Sequence, residues 1–402
     1  MADDAFRRID AVLAVSLRLV RTAPSGKVLL ARIASAIDVE WIPRPDGEAI
    51  ASELQIALDT AGAPIPWRQV ERTLRDAWGR RAAAELDELD PEPVAVRPGS
   101  QVHRGVLEGA AVAIKVQRPG LARSVRQDLA LLEAVIAPLA AAFPALDASA
   151  LVAEFRERVL DELDLEHEAV TQRRFHRALR DHPLLAVPAP VMRLSHERVL
   201  VSEWVDGVPL RRAPDPERAC ALLVLFVLGA ARGGLIDADA DPDDILALPD
   251  GRLAILDFGA TRVLDPERVA VATAALEAFL DGDAGRFGAT LERLGWLPAS
   301  RAGAALELAR EALGELAGPD PSRLDGDAVL AARDRLWRRR DQLADVIAAG
   351  ALAPEDLWPA RAVGQLFATI ARVGATGTWS VLARTAVREG WSAPITGAAA
   401  GW

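Results

Sequence analysis

Apolar residues recur at helical spacing through residues 1–92, as in "AFRRIDAVLAVSLRLV" and "IASELQIALDTAG", with turns at "RPDG" and "GAPIP". "PWRQVERTLRDAWGRRAAAEL" opens on a proline suited to a first helical turn and predicts one more amphipathic helix. The proline-rich "DPEPVAVRPG" breaks that pattern, and a boundary is placed there, between 92 and 93. Beyond it, "SQVHRGVLEGAAVAIKVQRPG" alternates as two strands joined by a turn at Glu108-Gly109. A helical stretch follows over roughly 122–180, broken near Pro138 and Pro144. "ERVLVSEWVDGVPL" predicts a strand running into a turn at Asp206-Gly207. Next come an apolar helix, an aspartate-rich loop, and a hairpin around "LPDGRLAILDFGA", with Asp250-Gly251 as its turn. From Asp265 onward the pattern is helical again, as in Val329–Trp337. The order is a helical extension (1–92), a small β-rich lobe (93–207) and a mostly helical lobe (208–402), an α+β chain without internal repeats.

Composition changes this picture in three places. The longest apolar run, Ala219–Ala231, has 13 residues. A bilayer needs roughly 20, so it reads as a buried core helix. Net charge is −11 and the sequence pI is about 5.1, so no basic field draws in nucleic acid or acidic lipid. One cysteine, Cys220, excludes an internal disulfide framework and fits a reducing compartment. The first residues do not resemble a secretory signal, and a cytoplasmic location is expected, with any membrane contact peripheral. The five histidines show no paired metal-ligand spacing, and the tryptophans read as core fillers.

The candidate chemistry starts from a compositional oddity. Only Lys27 and Lys115 are lysines among 47 basic residues, and asparagine is absent. A lysine that survives such a drift toward arginine points to a task needing a flexible point charge, such as holding the α- and β-phosphates of a nucleotide. Lys115 ends the strand tetrapeptide "VAIK". "ERVLDELDLEHEAVTQRRF" supplies a helix whose Glu168 or Glu162 is suited to pair with it, although acids on a helix are more often a wet face. Between Asp237 and Asp244, five of eight residues are aspartate. Asp237, Asp239 and Asp241 match the first three calcium-loop ligands, but the sixth position is Pro242 rather than Gly and the twelfth is Leu248 rather than Glu, so that reading fails. Asp239 precedes Asp244 by five residues and the Asp257-Phe258-Gly259 motif by eighteen, the order of a protein-kinase catalytic loop and metal-binding aspartate. Asp244 stands where that pattern has Asn, and a carboxylate serves as well for Mg²⁺.

These segments resemble the AarF/UbiB group of atypical protein-kinase-like proteins, from about Pro93 to Asp265. The resemblance rests on "VAIKVQRPG", "ELDLEHEA", "LVSEWVDGVPL" and "LPDGRLAILDFGATRVLDPE". It implies a bilobal kinase-like fold and ATP with Mg²⁺ as the bound species. In the "ELDLEHEA" segment it implies that Glu168 pairs with Lys115 and that Glu162 and Asp164 belong to the nucleotide site. Adenine would bond the backbone around Glu203, Trp204 and Val205; Asp244 and Asp257 would hold the metal, and Asp239 would act as the catalytic carboxylate. Partners would be ATP and an unidentified protein, lipid-like or quinone-pathway compound. Three departures stand out. The family's "HADPHPGN" is here "DADADPDD"; its alanine-rich nucleotide loop is "AVRPGSQVH"; and its N-terminal "KxGQ" motif does not occur.

Two principal functions fit these residues. One is an ATP-dependent phosphotransferase or ATPase using Lys115, Glu168, Asp239, Asp244 and Asp257. The other is a pseudokinase that keeps the pocket as a nucleotide-binding scaffold, as the three departures suggest. A small-molecule kinase of the aminoglycoside-phosphotransferase type shares the lobe order, but no acidic substrate pocket of its own is legible.

Overall fold

The computed structural model describes residues 48–121 and 163–392, apart from 61, 62, 98 and 352, together with isolated positions before 48 and at 123 and 125. Pro138, Pro144 and Glu162 lie outside the described residues. Helices α1 (Glu48–Thr60) and α2 (Trp67–Trp78) precede an antiparallel sheet of β1 (Glu88–Val96), β2 (Ser100–Leu107), β3 (Ala110–Gln117) and, after helix α3 (Leu165–Leu179) and the short β4 (Leu185–Ala186), β5 (Val199–Glu203). The order across the sheet is β1-β2-β3-β5, so Lys115 sits on its third strand, not its second.

β1 runs straight through the boundary drawn between 92 and 93. Its two prolines disguise it in the sequence, yet an edge strand has one unpaired side and tolerates a missing donor. The pairing of β1 with β2 shifts register on both sides of Pro93, as expected where the ladder loses a bond. The β2–β3 turn places Glu108 and Gly109 at positive φ (51° and 79°), the primed geometry that suits strand twist.

Helix α2 belongs to this lobe rather than to a separate extension. Val70 and Leu74, with Ile65 and Leu86, pack under Val112, Ile114, Val116, Val199 and Val201. The Trp78 indole N–H donates to the Leu194 carbonyl at 2.9 Å and pins the far end of α2 to the lobe. Alternation along β3 then decides the rest. Val112, Ile114 and Val116 are buried in this core, so Lys115 and Gln117 face the opposite side.

The second lobe forms around α4 (Pro216–Arg232), entered from the short β6 (Val208–Pro209). Asp215 caps α4 by accepting from the Arg218 amide at 3.0 Å, and Pro216 occupies the first turn. Cys220, Leu223, Phe226 and Val227 are fully buried in the largest core, which is why the apolar run needs no membrane. Burial pushes the Cys220 thiol up to about 12, an inert packed sulfur. Strands β7 (Leu235–Asp237) and β10 (Thr261–Val263) pair, as do β8 (Ile245–Ala247) and β9 (Leu253–Ile255) across the Asp250-Gly251 turn. Helices α5 (Pro266–Asp281), α6 (Ala284–Leu294), α7 (Ala302–Leu313), α8 (Gly326–Arg338), α9 (Arg340–Ala349), α10 (Leu357–Val373) and α11 (Trp379–Glu389) complete the lobe, with β11 (Ser322–Leu324) pairing β12 (Ala375–Gly377). The protein is α+β, a small sheet lobe beside a helical one, and the loops that carry the aspartates lie between them.

Candidate functional site

Three elements bring the first half of the site together. Lys115 projects from β3 into the cleft, and its Nζ donates to Glu168 Oε1 at 2.8 Å and Oε2 at 2.9 Å. The same ammonium donates to Asp257 Oδ2 at 2.7 Å. Glu168 is 1% exposed, and its place follows from the packing of α3. Leu165, Glu168, Ala169, Gln172, Phe175 and Leu179 form the buried face of that helix. Two turns beyond Glu168, the Phe175 ring meets Phe258 at 4.9 Å and Phe226 at 5.5 Å. One helix face therefore holds both the partner of Lys115 and the neighbour of the Asp-Phe-Gly phenylalanine. With Phe258 fixed in the core, Asp257 is turned to the cleft, where its Oδ1 also accepts from the Gly259 amide at 2.9 Å.

The second half is the aspartate-rich loop. Two backbone bonds clip it to the Asp-Phe-Gly segment: Leu256 N–H to the Asp244 carbonyl at 3.0 Å and Ala238 N–H to the Ala260 carbonyl at 3.3 Å. Asp237 is buried and accepts from the Asp239 amide at 3.2 Å. Asp241 caps the turn through the Asp243 amide at 2.9 Å, and Asp243 pairs at the surface with Arg211. Asp239 and Asp244 line the cleft, and each is met by an arginine. Arg97, from the loop between β1 and β2, donates through Nη2 to Asp244 Oδ1 at 2.7 Å and through Nε to Oδ2 at 3.4 Å. Arg361, from α10, donates through Nη2 to Asp239 Oδ2 at 3.1 Å.

The cleft between these groups is lined by Arg97, Lys115, Glu168, Asp239, Asp244, Asp257 and Arg361 among others. Its electrostatics follow from burial. Desolvation lowers the Lys115 ammonium, but Asp257 and Glu168 outweigh it and hold it well above the usual lysine range. Burial and the Asp257 carboxylate push Glu168 up against the pull of Lys115, since one ammonium neutralises only one of its two acids. Burial pushes Asp244 up to about 6 against the pull of Arg97. Asp237 is held far above the carboxylate range, chiefly by burial and then by Asp239 and Asp257.

A family model of the ABC1 atypical kinase-like domain matches residues 57–290. The chain belongs to the ABC1 atypical kinase-like family. Its ABC1 relatives include "Protein ACTIVITY OF BC1 COMPLEX KINASE 1, chloroplastic" of Arabidopsis thaliana, 30% identical over 273 residues, which cover 63% of this chain and 39% of that one. "Probable protein kinase UbiB" of Marinobacter nauticus is 27% identical over 251 residues, 58% of this chain and 46% of that one. The matches span less than two thirds of the length of these relatives. A solved Mycobacterium tuberculosis protein, Rv3197 in complex with erythromycin, has a TM-score of 0.61 at 25% identity and covers 94% of this chain and 95% of that one. The AarF/UbiB resemblance is thus a family membership. No helix among the described residues is long and apolar enough to cross a membrane.

Of the residues expected at an ABC1 site, Lys115, Glu168, Asp239, Asp244 and Asp257 converge on the cleft. Asp164 does not. Its carboxylate caps α3, accepting from the Glu166 amide at 3.0 Å and the His167 amide at 3.2 Å, so its task is to start the helix that carries Glu168. The cap engages Oδ1 alone. The segment Glu203–Val205 is not among the residues lining the cleft. The amide of Glu203 donates to the Ala189 carbonyl at 2.9 Å and that of Trp204 to the Ala111 carbonyl at 3.1 Å. Trp204 also donates to Asp206 and lies under the Arg104 guanidinium at 5.3 Å. These two amides are therefore unavailable as donors to a base.

Sequence reasoning missed Arg97 and Arg361. Arg97 stands in the "AVRPGSQVH" segment, where nothing local in the sequence points to Asp244. Arg361 lies in a helical stretch with no motif around it, and only the folded chain brings it to Asp239.

Proposed function

We propose that this chain binds ATP between its lobes and transfers the γ-phosphoryl group to a hydroxyl compound or to water. The observation that carries this reading is the single ammonium of Lys115 held between a helix glutamate and the Asp-Phe-Gly aspartate at 2.7–2.9 Å. That arrangement is of little use as a stabilising device, because withdrawing a buried glutamate and its two partly buried partners from water costs about as much as their attraction returns. It is of use where a polyphosphate has to be met by a fixed positive charge.

The donor set fits Mg²⁺. Asp244 and Asp257 offer hard carboxylate oxygens from two clipped loops, and no cluster of three or more ligating side chains occurs among the described residues. Magnesium takes one or two carboxylates and fills its shell with phosphate oxygens and water. Bound there, it would supply charge neutralisation at the β- and γ-phosphates. Lys115, oriented by Glu168, would hold the α- and β-phosphates. Asp239 would accept the proton of the attacking hydroxyl or water as its oxygen bonds to the γ-phosphorus and the bond to the bridging oxygen breaks.

One observation favours the pseudokinase reading instead. The Arg97 guanidinium occupies Asp244 through two contacts, so a metal has to displace it. ATP hydrolysis and transfer by the purified protein, beside Asp257→Ala, separate the two. The proposed function predicts turnover that disappears in Asp257→Ala; equal rates in both proteins leave only a binder.

A further inference from the structure

Helix α10 lies wholly outside residues 57–290, the part of the chain that the family model matches. It nevertheless touches the aspartate-rich loop at two points. Arg361 Nη2 donates to Asp239 Oδ2 at 3.1 Å. Thr369, fully buried, donates its hydroxyl to the Ala240 carbonyl at 2.6 Å. Arg361, Gln365 and Thr369 recur every four residues, so one face of α10 is laid along this loop.

The position of Arg361 is built rather than fortuitous. Its side chain is 14% exposed. Its guanidinium carbon stands 4.9 Å from the centre of the Trp358 ring, and Arg262, just after the Asp-Phe-Gly segment, stands 5.0 Å from the centre of the same ring. Trp358 is itself 3% exposed. A planar cation stacked on a buried indole loses its rotational freedom before it meets a carboxylate. An exposed ion pair would not need such a support, and would be worth little.

We propose that Arg361 is a positioning residue for phosphoryl transfer, acting through Asp239. It turns and holds the Asp239 carboxylate so that one oxygen stays on the guanidinium and the carboxylate is aimed at the attacking oxygen. This deepens the proposed function and rests on it. In the step served, the attacking oxygen forms its bond to the γ-phosphorus, the bond to the β,γ-bridging oxygen breaks, ADP leaves with that electron pair, and Asp239 receives the proton. Arg361 gives up no proton and forms no bond to phosphorus. Its contribution is orientation, an effect that a 1 Å error in placement can undo.

The test compares binding of MgADP alone with MgADP plus aluminium fluoride, a planar mimic of the transferring phosphoryl group that recruits the attacking water. Wild type, Arg361→Gln, Asp239→Asn and the double variant are titrated by calorimetry, and their melting temperatures are measured without nucleotide. Each single variant is expected to bind MgADP as wild type does, yet to lose at least about ten-fold in affinity for the fluoride complex. The double variant is expected to be no worse than Asp239→Asn, because one residue acts through the other. Arg361→Lys, which keeps the charge without the planar fork, is expected to recover part of the loss, and it carries the test should Arg361→Gln fail to fold. Unchanged fluoride-complex affinity in the Arg361 variants, or losses that add in the double variant, overturns the inference. A wild type that binds no nucleotide sinks the ATP reading itself; a wild type that binds MgADP without gain from fluoride overturns the role of Arg361 and leaves nucleotide binding without transfer; a gain in wild type that the Arg361 variants keep overturns the role of Arg361 alone.

Discussion

The two halves of the cleft handle their charges differently. On one side, the Lys115 ammonium bridges Glu168 and Asp257, all three supplied by segments that carry recognisable motifs. On the other, the acids Asp244 and Asp239 are motif residues, but their cations, Arg97 and Arg361, come from a loop and a helix with no motif at all. The first half is a fixed device that one local pattern after another specifies. The second exists only once distant pieces have folded together. A loop poor in anything but aspartate is thus made tolerable by arginines imported from elsewhere, since uncompensated, partly buried carboxylates would otherwise be costly.

Removing a cation from each half should therefore break the comparison in different ways. The largest effect is expected from Lys115→Met, which leaves Glu168 buried with no cation. It should cost about 3–5 kcal/mol in denaturant unfolding, most of it recovered when Glu168→Leu is added, because a buried pair is expensive to halve and cheap to replace. Arg97→Ala should act less on stability and more on metal. Its guanidinium competes for Asp244, so the Mg²⁺ concentration needed for half-maximal nucleotide binding should fall several-fold, on the order of 1 kcal/mol. A rise would show that Arg97 assists nucleotide binding instead. Asp164→Ala should cost about 1 kcal/mol as a lost cap while leaving nucleotide affinity unchanged, which separates the helix-starting acid from the site acids.

The smallest effect concerns pH, and it lies in the sheet lobe. Gln101 Oε1 accepts from the Ile65 amide at 2.6 Å, which fixes its amide so that Nε2 donates to His103 Nε2 at 2.8 Å. His103 Nδ1–H then donates to the Asp90 carbonyl at 2.9 Å, and a second ring proton would face the Gln101 donor. Burial accordingly lowers the His103 pKa below its ordinary 6.5. Above that value neither folded nor unfolded chain binds the proton and stability is unaffected. As pH falls through it, the unfolded chain takes up a proton that the folded one declines, so stability is lost. Melting temperature should decline from pH 7 to pH 5.5 in wild type and less steeply in His103→Phe.

Much of this was legible in the chain. Alternation in "AAVAIKVQ" places Lys115 opposite the core-facing Val112, Ile114 and Val116, and the scarcity of lysine marks it out. The Asp-Phe-Gly segment identifies Asp257, which meets it, and the spacing of Asp239 and Asp244 marks the acids that line the same cleft. Other features were hidden for physical reasons. β1 carries two prolines that read as a linker and are tolerated only because it is an edge strand. Asp164 sits in a segment of acids, and composition does not distinguish a cap from a ligand. Helix α2 reads as an independent amphipathic helix until the sheet that covers its apolar face is seen. Arg361 is one arginine among many; its distance in sequence from Asp239 leaves no local signal, and burial on Trp358 singles it out only after folding.

The most direct test of the central claim is a calorimetric titration of MgATP into the wild-type protein and into Asp257→Asn. If the Lys115–Asp257 cleft receives the triphosphate, wild type shows saturable binding and a melting temperature that rises with ligand; at 100 times the dissociation constant the added stability is about 2.7 kcal/mol. Asp257→Asn should bind at least about ten-fold more weakly. Saturable binding of equal strength in both proteins, or none in either, would contradict the account.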